Sequence, residues 1–296
     1  MYGKEIRSAK WTAPELRARK GGDKIAMVTA YDFTMARIVD RAGMDMVLVG
    51  DSLGMVVQGQ STTIPVSLDE IAYHSRAVAR GLKVAHLVGD LPFMSYQVSS
   101  NQAVESAGKL MKEGNVESVK LEGGIEFADH VYRIVRAGIP VVGHVGLLPQ
   151  SVHALGGFKV QGKSVEAAEK VIADARALES AGAFMVVLEA IPPDLAERIT
   201  EALTIPTIGI GAGAGCDGQV LVCTDMLGLS EGKQPRFAKR FAELGDAAVE
   251  AMQRYKSEVR EGTFPSREYA FKPNEFAPRR NEQGEVDAPL DLDHWH

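Results

Sequence analysis

Apolar positions along the chain fall into two alternating kinds of segment. Short, continuous, β-branched runs occur at Ile25–Ala30, Asp45–Gly50, Val84–Gly89, Glu117–Leu121, Pro140–His144, Phe184–Leu188, Pro206–Ile210 and Gln219–Val222. Because these runs are continuous rather than alternating with polar residues, they predict parallel strands covered on both faces. Longer amphipathic segments lie between them. Ser67 with Glu70, and Ser99 with Gln102, stand at capping-box spacing, where side chains satisfy the free N–H groups of a first helical turn. Ile71, His74, Ser75 and Val78 then mark one helical face, with His74 expected to pack on that helix. Val165, Ala168, Val171, Ile172, Ala175 and Leu178 mark another. About eight βα repeats predict an α/β fold of the (β/α)8 TIM-barrel type.

Two segments depart from the repeat. Pro149–Lys163 carries Gly156, Gly157 and Gly162 and is too long for a tight βα turn, so it is expected to be a loop or lid over the strand ends. After Ser230, the residues Phe237, Phe241, Leu244, Ala248, Met252, Tyr255 and Val259 keep helical spacing. They predict a long C-terminal helix from about Arg236 to Glu261, whose apolar stripe packs on a neighbouring subunit. The expected division is a catalytic barrel with its C-terminal helix over residues 1–262, and a charged, proline-containing, partly ordered tail over 263–296.

Composition narrows the function classes. With 296 residues, 45% of them hydrophobic, the chain can bury one large core. A formal charge of −6 leaves no basic excess for a phosphate backbone, so nucleic acid is not an expected partner. No apolar run reaches membrane-spanning length and Met1–Lys20 lacks the apolar core of a signal peptide, which predicts a cytoplasmic protein without a membrane partner. Two cysteines, Cys216 and Cys223, make neither a disulfide framework nor a zinc site, and both are expected to be buried.

The informative chemistry is the placement of acids: Asp51, Asp90, Glu122 and Glu189 follow predicted strands two, three, four and six. In an open sheet they would be spread along an edge at about 4.8 Å per strand, whereas closure turns them toward one mouth. Carboxylates within ~4–6 Å of one another raise each other's pKa unless cations intervene. Lys120 shares a strand face with Glu122, but one lysine is too little for four acids. An oxygen-rich set without cysteine or paired histidine favours a hard cation such as Mg²⁺, held by one or two carboxylates plus substrate and water. Taken singly, each acid could equally cap a helix or join a surface ion pair.

The segments Gly50-Asp51-Ser52-Leu53-Gly54-Met55, Tyr73-His74, Asp90-Leu91-Pro92-Phe93-Met94, Val119-Lys120-Leu121-Glu122-Gly123-Gly124, Gly143-His144 through Gln150-Ser151, and Gly209-Ile210-Gly211-Ala212-Gly213 closely resemble the ketopantoate hydroxymethyltransferases. The likeness runs from about Lys10 to Tyr255. It implies transfer of a hydroxymethyl group from methylenetetrahydrofolate to 3-methyl-2-oxobutanoate, giving 2-dehydropantoate in pantothenate synthesis through a Mg²⁺-stabilised enolate. It further implies one Mg²⁺ per subunit at Asp51 and Asp90, with Glu122 as a further metal-site carboxylate acting through water. By the same resemblance Ser52 and Lys120, with Asp51 and Asp90, bind the keto acid, Glu189 is the catalytic base, and the assembly is a homo-oligomer, a decamer.

Two alternatives stand beside this reading, and two residue-level questions stay open. A phosphonomutase or carbon–carbon lyase of the phosphoenolpyruvate-mutase type would share the keto-acid chemistry, although no segment resembles the lyases' Lys-x-Cys-Gly motif. A non-catalytic ligand-binding barrel would make the acids incidental. Finally, His144 could contact substrate or simply be a satisfied core group, and the Gly209–Gly215 loop fits barrel closure or close approach to the folate better than phosphate binding.

Overall fold

The structure, a computed structural model, describes residues 7–230, 232 and 234–271. It falls into two compact units that divide between Ala242 and Glu243. The first is a closed barrel of eight parallel strands: β1 (Ile25–Thr29), β2 (Met46–Val49), β3 (His86–Asp90), β4 (Ser118–Glu122), β5 (Val141–Gly146), β6 (Met185–Glu189), β7 (Thr207–Ile210) and β8 (Gly218–Leu221). β8 closes onto β1, pairing Ile25 with Gly218 and Val28 with Leu221. Every predicted run coincides with a strand, and the shifts at their ends have a consequence. Asp90, Glu122 and Glu189 are the last residues of β3, β4 and β6, not residues of the loops beyond.

The outer ring contains α1 (Phe33–Arg41), α2 (Leu68–Gly81), α3 (Ser100–Glu113), α4 (Ala128–Arg136), α5 (Val165–Ser180) and α6 (Pro193–Ala202). α2 starts with the predicted reciprocal box: Glu70 N donates to Ser67 Oγ at 3.3 Å, and Ser67 N donates to Glu70 Oε2 at 2.7 Å. At α3 only half of the expected box forms. Gln102 N donates to Ser99 Oγ, but the Gln102 side chain accepts from Val98 N and donates to Met94 O, tying the helix to the loop after β3. His74 is tied likewise, its Nδ1 lying 2.7 Å from Tyr31 O after β1.

No helix joins β7 to β8, which are linked by residues 211–217 alone. A strand the length of β8 is about 13 Å long, and a stretch of that size reaches up to about 24 Å, so it can return along the barrel unaided. Its end is clamped: Asp217 Oδ2 accepts from Thr207 N and from Lys20 Nζ, both at 2.9 Å. The glycine-rich segment is therefore accounted for by barrel closure.

Two cores result. One lies between the sheet and the helices, with Leu87, Leu110, Leu121, Ile134, Leu178 and Ile199 fully buried. The other lies inside the barrel and includes Met27, Met46, Val88, Val142, Met185, Val187 and Ile208, with Ala13 and Leu16 from the turn Ala13–Arg17. Both cysteines are buried and unpaired, as expected.

The C-terminal helix, α7, spans Leu244–Glu261 in the second unit, so the predicted start near Arg236 is corrected. Phe237 and Phe241 have helical spacing but belong to an irregular segment. Ala238 N donates to Pro235 O and Phe241 N to Met226 O, so the backbone bonds there are turn-like and long-range. Phe237 packs on Gly211, where an added Cβ would meet its ring at 2.8 Å and where φ is +63°. On α7 itself, Leu244, Met252, Tyr255 and Val259 are exposed. Of the predicted tail, residues 272–296 lie outside the described residues.

Candidate active site

The two-residue period of a strand determines which side chains enter the barrel. His86, Val88 and Asp90 share one face of β3, as do Ser118, Lys120 and Glu122 on β4, Val142 and His144 on β5, and Met185, Val187 and Glu189 on β6. Low in the barrel this face is apolar or satisfied, with His86 Nε2 2.9 Å from Ser118 Oγ. At the C-terminal end it becomes ionic. Register places Asp90 beside Lys120 and Glu122 beside His144. The Lys120 ammonium lies 2.8 Å from Asp90 Oδ1 and 3.7 Å from Glu122 Oε1. His144 bridges two acids, with Nδ1 3.4 Å from Glu122 Oε1 and Nε2 3.1 Å from Glu189 Oε2.

Asp51 arrives from the loop after β2. Its backbone N–H donates to Asp90 Oδ2 at 3.0 Å, and its Oδ2 accepts from Gln150 Nε2 at 2.9 Å. Ser52 Oγ lies 2.8 Å from Tyr31 OH. All the predicted site residues, Asp51, Ser52, Asp90, Lys120, Glu122 and Glu189, line one cavity of about 870 Å³ at this end of the barrel, together with His144.

The electrostatics show a site short of positive charge. Burial, then the Asp90 and Glu122 carboxylates, push Asp51 well above the usual carboxylate range. Burial also raises Asp90, against the pull of Lys120. Glu122 stays low because Lys120 and the hydrogen bonds from His144 and Gln150 outweigh its burial. Burial would discharge Lys120, but the surrounding acids prevail and raise its pKa. Burial and Lys120 oppose protonation of His144, yet its bonds to Glu122 and Glu189 raise it to about 9. Four carboxyl groups, Asp51, Asp90, Glu122 and Glu189, thus gather around only two basic groups, Lys120 and His144.

That deficit and the oxygen-only donors fit a hard divalent ion. Among the described residues no three His, Cys, Asp or Glu side chains are grouped closely enough to hold an ion by themselves. A cation here would take one or two carboxylates and complete its shell with substrate oxygens and water, which is how Mg²⁺ is commonly bound.

Two polar residues in the cluster lie outside the predicted set. His144 was legible as an inward residue, since Val142 is barrel core and the strand period carries position 144 to the same face. Gln150, 3% exposed, had no such signal. Its amide reaches Asp51 and Leu91 O, its backbone N–H reaches Glu122 Oε2, and its Oε1 accepts from Tyr96 OH, all through contacts distant in sequence.

Fold and site together define a (β/α)8-barrel enzyme with an acid- and lysine-lined mouth suited to a metal and an anionic substrate. Residues 10–267 match the family described as ketopantoate hydroxymethyltransferase, and the chain belongs to it. It is 56% identical over 262 residues to 3-methyl-2-oxobutanoate hydroxymethyltransferase of Moorella thermoacetica, covering 88% of this chain and 97% of that one. It is 57% identical over 265 residues to the same-named protein of an Anaeromyxobacter species, covering 88% and 87%. Among solved structures, phosphoenolpyruvate phosphomutase from Streptomyces platensis subsp. rosaceus is similar at a TM-score of 0.57 and 15% identity, over 85% of this chain and 88% of that one. A 2,3-dimethylmalate lyase is similar at 0.55 and 18%, over 89% and 92%. At such identities these two show a shared barrel fold.

Proposed function

We infer that this protein transfers a hydroxymethyl group from methylenetetrahydrofolate to 3-methyl-2-oxobutanoate, forming 2-dehydropantoate and tetrahydrofolate on the route to pantothenate, with one Mg²⁺ per subunit. The observation that carries the reading is the cluster of four acids, three of them buried, against Lys120 and His144 at the barrel mouth. In this reading Asp51 and Asp90 hold the ion, and Glu122 supports it through water. An ion held there would supply Lewis acidity at the ketone oxygen, where enolisation develops negative charge, an effect worth several kcal/mol.

The protein's own groups do the rest. Lys120 binds the substrate carboxylate, and its raised pKa argues against an amine nucleophile forming a Schiff base. Ser52 adds a hydroxyl to the same end of the substrate. Glu189 takes the C3 proton, a role typically worth ~10²–10⁴-fold. Its side chain is 17% exposed against 2% for Glu122, so it is the more open of the two and the better able to reach a substrate carbon. The electron pair left by that proton forms the new carbon–carbon bond to the donor's one-carbon unit. Both carbon–nitrogen bonds of the donor's methylene bridge break, water supplies the hydroxyl oxygen and the two protons that the nitrogens gain, the proton taken by Glu189 completes the hydroxyl, and tetrahydrofolate leaves. Purified protein given both substrates and Mg²⁺ is expected to form 2-dehydropantoate. Failure to form it, with release of a keto acid from a methylisocitrate-like substrate instead, would establish a lyase.

No helix among the described residues is long and apolar enough to cross a membrane. Residues 1–262 are proposed as the catalytic domain of a cytoplasmic enzyme, distinct from the tail 263–296. The exposed Leu244, Met252, Tyr255 and Val259 on α7 favour a homo-oligomer, proposed as a decamer. Light scattering at micromolar concentration should give a multiple of the 31.9 kDa chain mass, and a monomer would contradict it.

A further inference from the structure

Three hydroxyls are joined in a row at the wall of the cavity. Thr29 ends β1, Tyr31 lies two residues beyond it, and Ser52 follows β2. Ser52 Oγ is 2.8 Å from Tyr31 OH, the Tyr31 hydroxyl is also hydrogen-bonded to the Thr29 side chain, and Thr29 Oγ1 accepts from Cys223 N at 3.0 Å. Among the described residues that line the cavity are Thr29 and Ser52 but not Tyr31, which is 4% exposed. The Tyr31 backbone is held from α2: its carbonyl can only accept, so His74 Nδ1, 2.7 Å away, carries the proton of that bond. Burial, against the pull of Ser52 and Thr29, raises the phenol's pKa above its ordinary value, so Tyr31 keeps its proton.

Each hydroxyl has one proton to give, so the row can run in two directions. In one, Thr29 donates to Tyr31, Tyr31 donates to Ser52, and the Ser52 proton is left for the cavity. In the other, Ser52 donates to Tyr31 and Tyr31 to Thr29, and the Thr29 proton needs a further acceptor; the Cys223 thiol beside it is a weak one. A bound carboxylate accepts and cannot donate, so it selects the first direction, in which successive bonds strengthen one another. We propose that Tyr31 is a positioning residue of the keto-acid site: with Thr29 it sets the direction of the hydroxyl row, so that Ser52 donates its proton to the substrate carboxylate. This role rests on the transferase reading above, in which Ser52 binds that end of the keto acid. Without Tyr31, the serine hydroxyl would turn among its staggered rotamers and its proton would not be committed to the substrate.

The test is a double-mutant cycle on keto-acid affinity, followed by calorimetric titration with Mg²⁺ present. Ser52→Ala should lose about tenfold or more, the scale of a hydrogen bond to a charged group. Tyr31→Phe keeps the packed ring and should lose about three- to tenfold. In the Ser52→Ala background Tyr31→Phe should lose nothing further, because the phenol acts only through Ser52. Exchange of the C3 hydrogen should show a matching split, the half-saturating keto-acid concentration rising in Tyr31→Phe far more than the rate at saturation falls. Thr29 gives a second route that leaves Tyr31 in place: Thr29→Val should weaken keto-acid binding, and Thr29→Ser, which keeps the hydroxyl, should not. Losses for Tyr31→Phe and Ser52→Ala that multiply, an unchanged affinity in either single variant, or equal affinities in the two Thr29 variants would each overturn the role. A wild type that neither binds the keto acid with Mg²⁺ nor exchanges its C3 hydrogen would overturn the transferase reading itself, a distinct result.

Discussion

Gln150 Nε2 donates to Asp51 Oδ2 across 2.9 Å, while the Gln150 backbone N–H donates to Glu122 Oε2 across 3.0 Å. One residue at the start of the long loop after β5 therefore orients two of the proposed metal-site carboxylates. Groups that orient metal ligands typically affect affinity by 10–100-fold. Gln150→Leu keeps the bulk but leaves Asp51, Leu91 O and Tyr96 without their amide partner. Mg²⁺-dependent keto-acid affinity should fall by about 10–100-fold, measured by titration. An unchanged affinity would assign Gln150 to packing alone.

Proton abstraction can be separated from the full reaction. In heavy water with Mg²⁺ and no folate, the protein should exchange the C3 hydrogen of 3-methyl-2-oxobutanoate, because enolisation needs only the base and the Lewis acid. Glu189→Gln keeps size but cannot accept the proton. Exchange should drop by ~10²-fold or more while keto-acid binding persists. Exchange at the wild-type rate would move the base role to a water held by Glu122 or to Lys120.

The clamp that closes the barrel carries a pH signature. Burial raises the Asp217 pKa, but Lys20 and the N–H groups of Thr207 and Gly21 outweigh it and hold the carboxyl below its ordinary value. A depressed folded pKa means stabilisation that is fully present above the unfolded value, about 3.9, and is lost as pH falls through the folded one. Asp217→Asn should cost about 2–4 kcal/mol near neutral pH, the scale of breaking a buried ion pair. The gap between wild type and variant, followed by urea unfolding, should narrow as pH drops below about 4. A constant gap would place the contribution in packing.

Much of this was legible along the chain because it depends on local periodicity. Continuous apolar runs marked all eight strands, and Ser67 with Glu70 announced the start of α2. Asp51, Asp90, Lys120, Glu122 and Glu189 stood out together, because acids and a lysine at the ends of several apolar strands converge on one mouth once the barrel closes. Strand parity even carried His144 inward. What periodicity could not resolve was competition between local pattern and distant contact. Phe237 and Phe241 have the spacing of a helix, yet the approach of Gly211 and the carbonyl of Met226 hold them outside α7. Gln150 belonged to a family-like segment but had no role legible in the local pattern until closure brought Asp51, Leu91, Tyr96 and Glu122 around it. The chain by itself determined which side chains face the barrel axis, since that follows from a two-residue repeat. Only the tertiary structure decided which of them share hydrogen bonds and charge, since a buried carboxylate's state depends on neighbours tens of residues away in the chain but a few ångströms away in space.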